Sequence, residues 1–231
     1  FKQKTAYALG VRLVGSEMCI RDSYVHVAER TAAELTKTEQ HGVLYANQWD
    51  NTANREGHLA STGPEIWEQT DGSIDAFICA VGTGGTLAGG SEYLKQQDPK
   101  IVTAVADPMG AAIFSWVKMG ELKSEGSSIT EGIGQGRVTG NLEGAKIDDA
   151  FRIPDEEMMP VCFDLLLEEG LLMGGSSGIN VAGAIRLAKE LGPGKTIVTI
   201  LCDSGSRYQS KLYNPEFLTS KGLPLPPWLK A

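Results

Sequence analysis

The chain has 231 residues, 42% of them hydrophobic, and a formal net charge of −8, enough apolar length for one large domain or two small ones. It carries no block of five or more like charges, which argues against a nucleic-acid surface and against an anionic-membrane anchor, so small molecules are the expected partners. No apolar run approaches the roughly 20 residues of a membrane helix. The four cysteines lack CxxC spacing; Cys79, Cys162 and Cys202 lie in apolar runs and read as buried thiols of a reducing, cytoplasmic compartment, not as a disulfide framework.

Phe1 to Ser23 stand apart. The chain opens without Met, Arg12 breaks the early apolar stretch, and Glu17 and Asp22 follow, which is not a signal peptide. "RLVGSEMCIRDS" instead resembles translated sequencing-adapter readthrough, so residues 1–23 are expected to be non-native, with the natural sequence entering at Tyr24 in mid-domain.

From Tyr24 the periodicity alternates. "YVHVAERTAAELTKTE" predicts a helix and "GVLYANQ" a short strand. "NTANREGHLASTGPEIWEQT" is polar and turn-rich, then helical, with Ser61 or Thr62 and Pro64 as start signals. "IDAFICAV" is an apolar run between Asp71-Gly72 and a glycine cluster, the pattern of a strand buried on both faces. Helix "TLAGGSEYLKQQ", strand "KIVTAVADP" and helix "AAIFSWVKMG" follow, then a Gly- and Ser-rich loop over 121–140 and a short strand "AFRIP". The helix "DEEMMPVCFDLLLEEG" has Asp155 in its first turn and Gly170 past its end. A small-residue helix in "GGSSGINVAGAIRLAKEL" and a strand "KTIVTILC" precede the polar "DSGSRYQSK". This alternation predicts an α/β fold, a parallel twisted sheet with helices on both faces.

In such sheets ligands gather at the carboxyl ends of strands. There "AVGTGGTLAGG" places five glycines in residues 80–90. Gly82, Gly84 and Gly85 let backbone N–H groups approach an anion without a Cβ in the way, and Thr83 and Thr86 add hydroxyl donors. The helix macrodipole favours bound negative charge by roughly 0.3–1 kcal/mol. A phosphate fits, but the dinucleotide pattern G-x-G-x-x-G fails at Leu87. The Walker pattern fails at Lys189, ahead of a "GPGKT" that enters a strand. Taken alone, the loop serves equally for ligand binding and for tight helix–sheet packing.

"NQWDNTANREGHLASTGPEIWEQT", "AVGTGGTLAGG" and "EGLLMGGSSGINVAGAIRLAKEL", with "EGIGQG" and "PEFLTSKGLP", resemble together the cysteine synthase and cystathionine β-synthase group of fold-type II enzymes that use pyridoxal 5′-phosphate. The resemblance runs from about Tyr24 to the end and is closest to the cysteine synthases. It implies a tryptophan synthase β-like fold: residues 24–50 would be a remnant of the smaller N-terminal domain and residues 51–231 the large cofactor-binding domain. Gly82, Thr83, Gly84, Gly85 and Thr86 match the loop that holds the cofactor phosphate. Ser176 matches the serine at the pyridine nitrogen, Gln48 a glutamine near the substrate carboxylate, and Gly132 a loop glycine on the substrate side. On its residues alone, Ser176 is also a plain helix cap, Gln48 a strand-end surface residue and Gly132 an ordinary loop glycine. His58 reads as a structural histidine, and Asp203 with Ser204 as a strand-end pair behind Ser176.

The implied activity is a transferase/lyase β-replacement that makes L-cysteine from O-acetyl-L-serine and sulfide. A homodimer and a serine acetyltransferase partner are also implied; no metal, nucleic acid or membrane is. The chain departs from the pattern in one respect: the Schiff-base lysine and the Thr-Ser-Gly-Asn-type loop after it are not found, so no catalytic residue is assigned. The expectation is a C-terminal portion of such an enzyme, inactive by itself. A cystathionine β-synthase-like or other β-replacing enzyme, or a non-catalytic domain binding a phosphorylated ligand, remains the alternative.

Overall fold

The computed structural model describes residues 24–229; the adapter reading of residues 1–23 lies outside them. The chain divides into two compact units between Asn47 and Gln48. In the first, α1 (Tyr24–Leu35) forms as its periodicity predicts. The strand expected from "GVLYANQ" does not form: residues 42–47 are irregular and Leu44 is 91% exposed. A strand needs a neighbouring strand for its N–H and C=O groups, and among the described residues none pairs with this segment.

The second unit is built on four parallel strands, β1 (Ala76–Cys79), β2 (Val102–Pro108), β3 (Asp149–Ile153) and β4 (Ile197–Val198), in the order β3-β2-β1-β4. Side chains alternate across a strand, so β1 feeds two cores. Ile78 joins Ala104, Ile153, Met158, Cys162 and Ile179 on one face, beneath α6 (Asp155–Glu169) and α7 (Gly175–Leu191). Phe77 joins Leu87, Leu94, Val105 and Ile113 on the other, beneath α4 (Gly85–Gln97) and α5 (Ile113–Met119). The parallel α/β sheet covered on both faces is therefore the observed fold. A Cβ at Gly183 would sit 2.6 Å from that of Ala106; its absence lets α7 lie directly on the sheet.

In the second unit, two elements differ from expectation. The turn-rich stretch before Ser61 contains a further helix, α2 (Ala53–Ala60), ahead of α3 (Thr62–Gln69). Its polar sequence hides a packing face: α2 lies against Gly89 of α4, where a Cβ would come within 2.8 Å of the His58 Cβ. β4 pairs for two residues only, Ile197 opposite Ala76 and Val198 opposite Phe77. Beyond them side chains replace the ladder, with Thr199 Oγ1 donating to the Ile78 carbonyl at 2.7 Å and Asn180 Nδ2 to the Ile200 carbonyl at 2.7 Å. The C-terminal α8 (Pro215–Ser220) is capped by Asn214, whose Oδ1 accepts from the Glu216 and Phe217 N–H groups.

Candidate functional site

The carboxyl end of β1 runs directly into the glycine loop. Gly84 is in the left-handed region at φ 89° and caps α4, a conformation that disfavours a side chain; a Cβ there would also meet Leu142 Cβ at 2.9 Å. At Gly82 a Cβ would lie 2.7 Å from the Gly132 carbonyl oxygen, and at Gly85 it would collide with the Asn54 side chain. The five glycines thus divide by duty: Gly89 admits α2, Gly90 lets α4 rest on Phe77 with a Cβ clearance of only 2.9 Å, and Gly82, Gly84 and Gly85 form a cradle. The first-turn N–H groups of α4 have no intrahelical acceptors and face the same side as the helix's partial positive charge.

Two polar residues of the overlooked α2 support the cradle hydroxyls. Asn54 Nδ2 donates to Thr83 Oγ1 at 2.9 Å and to the Gln48 carbonyl at 2.9 Å. His58 Nε2 is 3.1 Å from Thr86 Oγ1, and its Nδ1 is 2.8 Å from Thr62 Oγ1. Burial holds the His58 pKa below its ordinary value, which favours the neutral ring. In the tautomer whose Nδ1 accepts from Thr62 and whose Nε2 donates to Thr86, the Thr86 proton is free to face an anion; in the other tautomer Thr86 donates to His58. His58, structural on the sequence alone, stands behind the cradle hydroxyl Thr86; its i, i+4 spacing from Asn54 is the signal that both belong to one helix face.

Ser176 lies at the start of α7, 7% exposed. Asn180, one turn further on, accepts from the Ala80 N–H at 2.6 Å, which fixes the head of α7 beside the strand end that leads to Gly82. The loop over 128–134 closes the space between them. Asp155 anchors it through Ser128 Oγ and the Ile129 N–H. The Thr130 methyl sits 3.0 Å from where a Gly175 Cβ would be, and the Gly134 N–H donates to the Val81 carbonyl at 3.0 Å. Gly132, at φ 78° and exposed, stands in this loop. The Gly82–Thr86 loop, Ser176 and Gly132 are thereby gathered at one end of the sheet. Gln48 is exposed, its backbone held by Asn54 and by Asn141 Nδ2 at 2.8 Å.

Asp203 and Ser204 do lie behind Ser176: the Gly174 N–H donates to the Asp203 carbonyl at 3.0 Å, and Tyr208 Oη donates to Asp203 Oδ2 at 2.7 Å. Among the described residues, Asp203 Oδ1 is buried without a hydrogen-bond partner. Cys79 and Cys162 are buried as expected, whereas Cys202 is exposed. Its apolar run ends at the open sheet edge, and its thiol meets Ser176 and Asn180 instead of a core.

A cradle closed to any Cβ, the half-buried hydroxyls of Thr83 and Thr86 and the neutral hydroxyl of Ser176 at the same end of the sheet fit the phosphate and ring ends of pyridoxal phosphate. The family model described as "Pyridoxal-phosphate dependent enzyme" matches residues 2–203. Cysteine synthase 1 of Emericella nidulans is 45% identical over 207 residues, covering 87% of this chain and 55% of its own. Cysteine synthase A of Salmonella typhi is 38% identical over 225 residues, covering 96% and 69%. Among solved structures, an O-acetylserine dependent cystathionine β-synthase from Helicobacter pylori superposes with TM-score 0.69 at 30% identity, covering 79% of this chain and 57% of that one. The chain spans about half the length of the first curated relatives it matches. It belongs to the pyridoxal-phosphate dependent enzymes, within the fold-type II group of the cysteine synthases.

Proposed function

We propose that this chain supplies the cofactor-binding part of an enzyme that makes L-cysteine from O-acetyl-L-serine and sulfide by β-replacement. The reading is carried by the convergence of the Gly82–Thr86 cradle and Ser176 at the two ends of one loop-bridged space, in a chain 38–45% identical to cysteine synthases. When bound, pyridoxal phosphate supplies the electron sink for removing the substrate α-proton and expelling its β-substituent. The chain's own residues do the rest. Gly82, Gly84 and Gly85 present N–H groups to the phosphate; Thr83 and Thr86 donate their hydroxyl protons to it; His58 stays neutral and points the Thr86 proton outward. Ser176 hydrogen-bonds the ring nitrogen with a neutral hydroxyl, which leaves that nitrogen largely unprotonated and suits elimination over transamination. Gln48 receives the substrate carboxylate, and Gly132 gives it room.

Lys95, Lys118, Lys195 and Lys211 are ion-paired with Asp148, Asp149, Asp75 and Glu131, which supports the reading that the chain binds the cofactor without a covalent lysine of its own and does not turn over alone. Residues 24–50 belong, on this reading, to a smaller domain that closes on substrate. The enzyme is a cytoplasmic homodimer that pairs with serine acetyltransferase. A cystathionine β-synthase-type reaction, with a thiol amino acid as acceptor, is the second reading, favoured by the Helicobacter pylori neighbour.

Titration with pyridoxal 5′-phosphate, followed by borohydride reduction and peptide mapping, tests the proposal. Saturable binding with no labelled lysine is expected. Absence of binding would end the reading, and a labelled internal lysine would overturn the non-covalent part of it.

A further inference from the structure

The Thr83 hydroxyl has an unusual hydrogen-bond account. Asn54 Nδ2 approaches the Gln48 carbonyl and Thr83 Oγ1, each at 2.9 Å. A backbone carbonyl has no proton to give, so the Asn54 atom facing it is the nitrogen and not the oxygen. The same nitrogen faces Thr83 and, donating only, spends its second proton there. Thr83 Oγ1 therefore accepts, while the Gly85 N–H, 3.5 Å away, is too distant to be held by it and stays free for an anion. With Asn54 donating to it, the hydroxyl keeps its own proton to give, and no acceptor for that proton is found among the described hydrogen bonds. The other face of the Asn54 amide packs where a Gly85 Cβ would be, so the absence of a side chain at Gly85 is what admits Asn54.

From this we infer that Asn54 is a positioning residue that polarises the cradle: it fills the acceptor side of Thr83 so that the proton must point at the cofactor phosphate. Through its second bond it ties the substrate-side Gln48 segment to the same loop. The inference rests on the phosphate reading above and names a residue outside the Gly82–Thr86 loop as a determinant of phosphate affinity. Asparagine is required in this role because aspartate, of the same shape, would accept the Thr83 proton and add a negative charge beside the phosphate.

The test uses the full chain and reads pyridoxal 5′-phosphate affinity by equilibrium dialysis and the phosphorus signal of the bound cofactor by 31P NMR, with circular dichroism to establish that each variant is folded. Asn54→Asp is expected to weaken binding about ten- to hundredfold at pH 7.5, as for loss of a hydrogen bond to a charged group. Relative to wild type, the defect should shrink as the pH falls toward 5 and the introduced carboxylate protonates, which a merely structural role would not produce. Asn54→Ala should cost about tenfold alone and less than about twofold in a Thr83→Val background, because the two act through one proton. Wild-type affinity in Asn54→Asp, a pH-independent defect, or full additivity of the two substitutions would overturn the role of Asn54 alone. A wild-type chain that binds no pyridoxal 5′-phosphate would overturn it together with the reading it rests on.

Discussion

At residue scale the site is governed by what a single side chain would displace. A methyl at Gly85 would occupy the space of the Asn54 amide, so Gly85→Ala should expel Asn54 and weaken pyridoxal 5′-phosphate binding by at least about tenfold. Dialysis checks it, with Gly57→Ala, whose Cβ would meet nothing within 4 Å and whose φ is negative, as the control that retains affinity. Asp107 is a second residue whose surroundings fix its chemistry. It is fully buried, its Oδ2 accepts from the Phe114 N–H at 2.8 Å, and its Oδ1 has no partner. Burial pushes its pKa up to about 6, against the lowering effect of the Phe114 and Ile113 N–H groups and of Arg152. A carboxyl that holds its proton longer when folded than when unfolded costs stability as the pH rises from about 4 to about 6, and the cost is constant above that. Asp107→Asn should accordingly gain on wild type through this window, by up to about 3 kcal/mol at pH 7. Urea melts at pH 4.5 and 7.5 check the sign; an equal difference at both would refute it.

At element scale the site depends on holding the head of α7 beside the end of β1. Asn180 is the tie. It is 1% exposed and joins the Ala80 N–H to the Ile200 carbonyl, linking α7 to β1 and to the segment after β4 where the strand ladder has ended. Asn180→Ala leaves the half-buried Ala80 N–H and Ile200 carbonyl without this partner, so a loss of about 1–3 kcal/mol in urea unfolding is expected. The same scale shows what periodicity could and could not disclose. β1, β2, α4, α6 and α7 announce themselves because their apolar residues face cores formed by both sheet surfaces. α2 does not, because it packs through backbone and a histidine against the bare surface of Gly89. A helix whose contact face is a glycine on its neighbour leaves no apolar stripe in its own sequence. "KTIVTILC" looks like a full strand since its residues are apolar, yet its ladder stops at Val198 and side chains take over.

At the scale of the whole molecule, binding and folding are linked. If the cradle holds pyridoxal 5′-phosphate only in the folded state, saturating the chain at 100 times its dissociation constant should add roughly 2.7 kcal/mol. That corresponds to a rise in melting temperature of about 5–10 °C for a unit of this size. Differential scanning fluorimetry with inorganic phosphate as a comparison measures it; no shift with either would contradict the site. The sequence by itself determined the layered α/β order and the glycine loop at a strand end and, by resemblance, named Gly82 to Thr86, Ser176, Gln48 and Gly132 as candidates, because local period, turn chemistry and motif spacing are written along the chain. Only the tertiary structure decided that Asn54 and His58 stand behind the cradle threonines, that the loop over 128–134 spans from Gly175 to Val81, and that Cys202 is open to solvent. Those relations depend on which surfaces meet. Hydrogen-bond direction and burial are properties of pairs of residues far apart in sequence, and no stretch of the chain carries them alone.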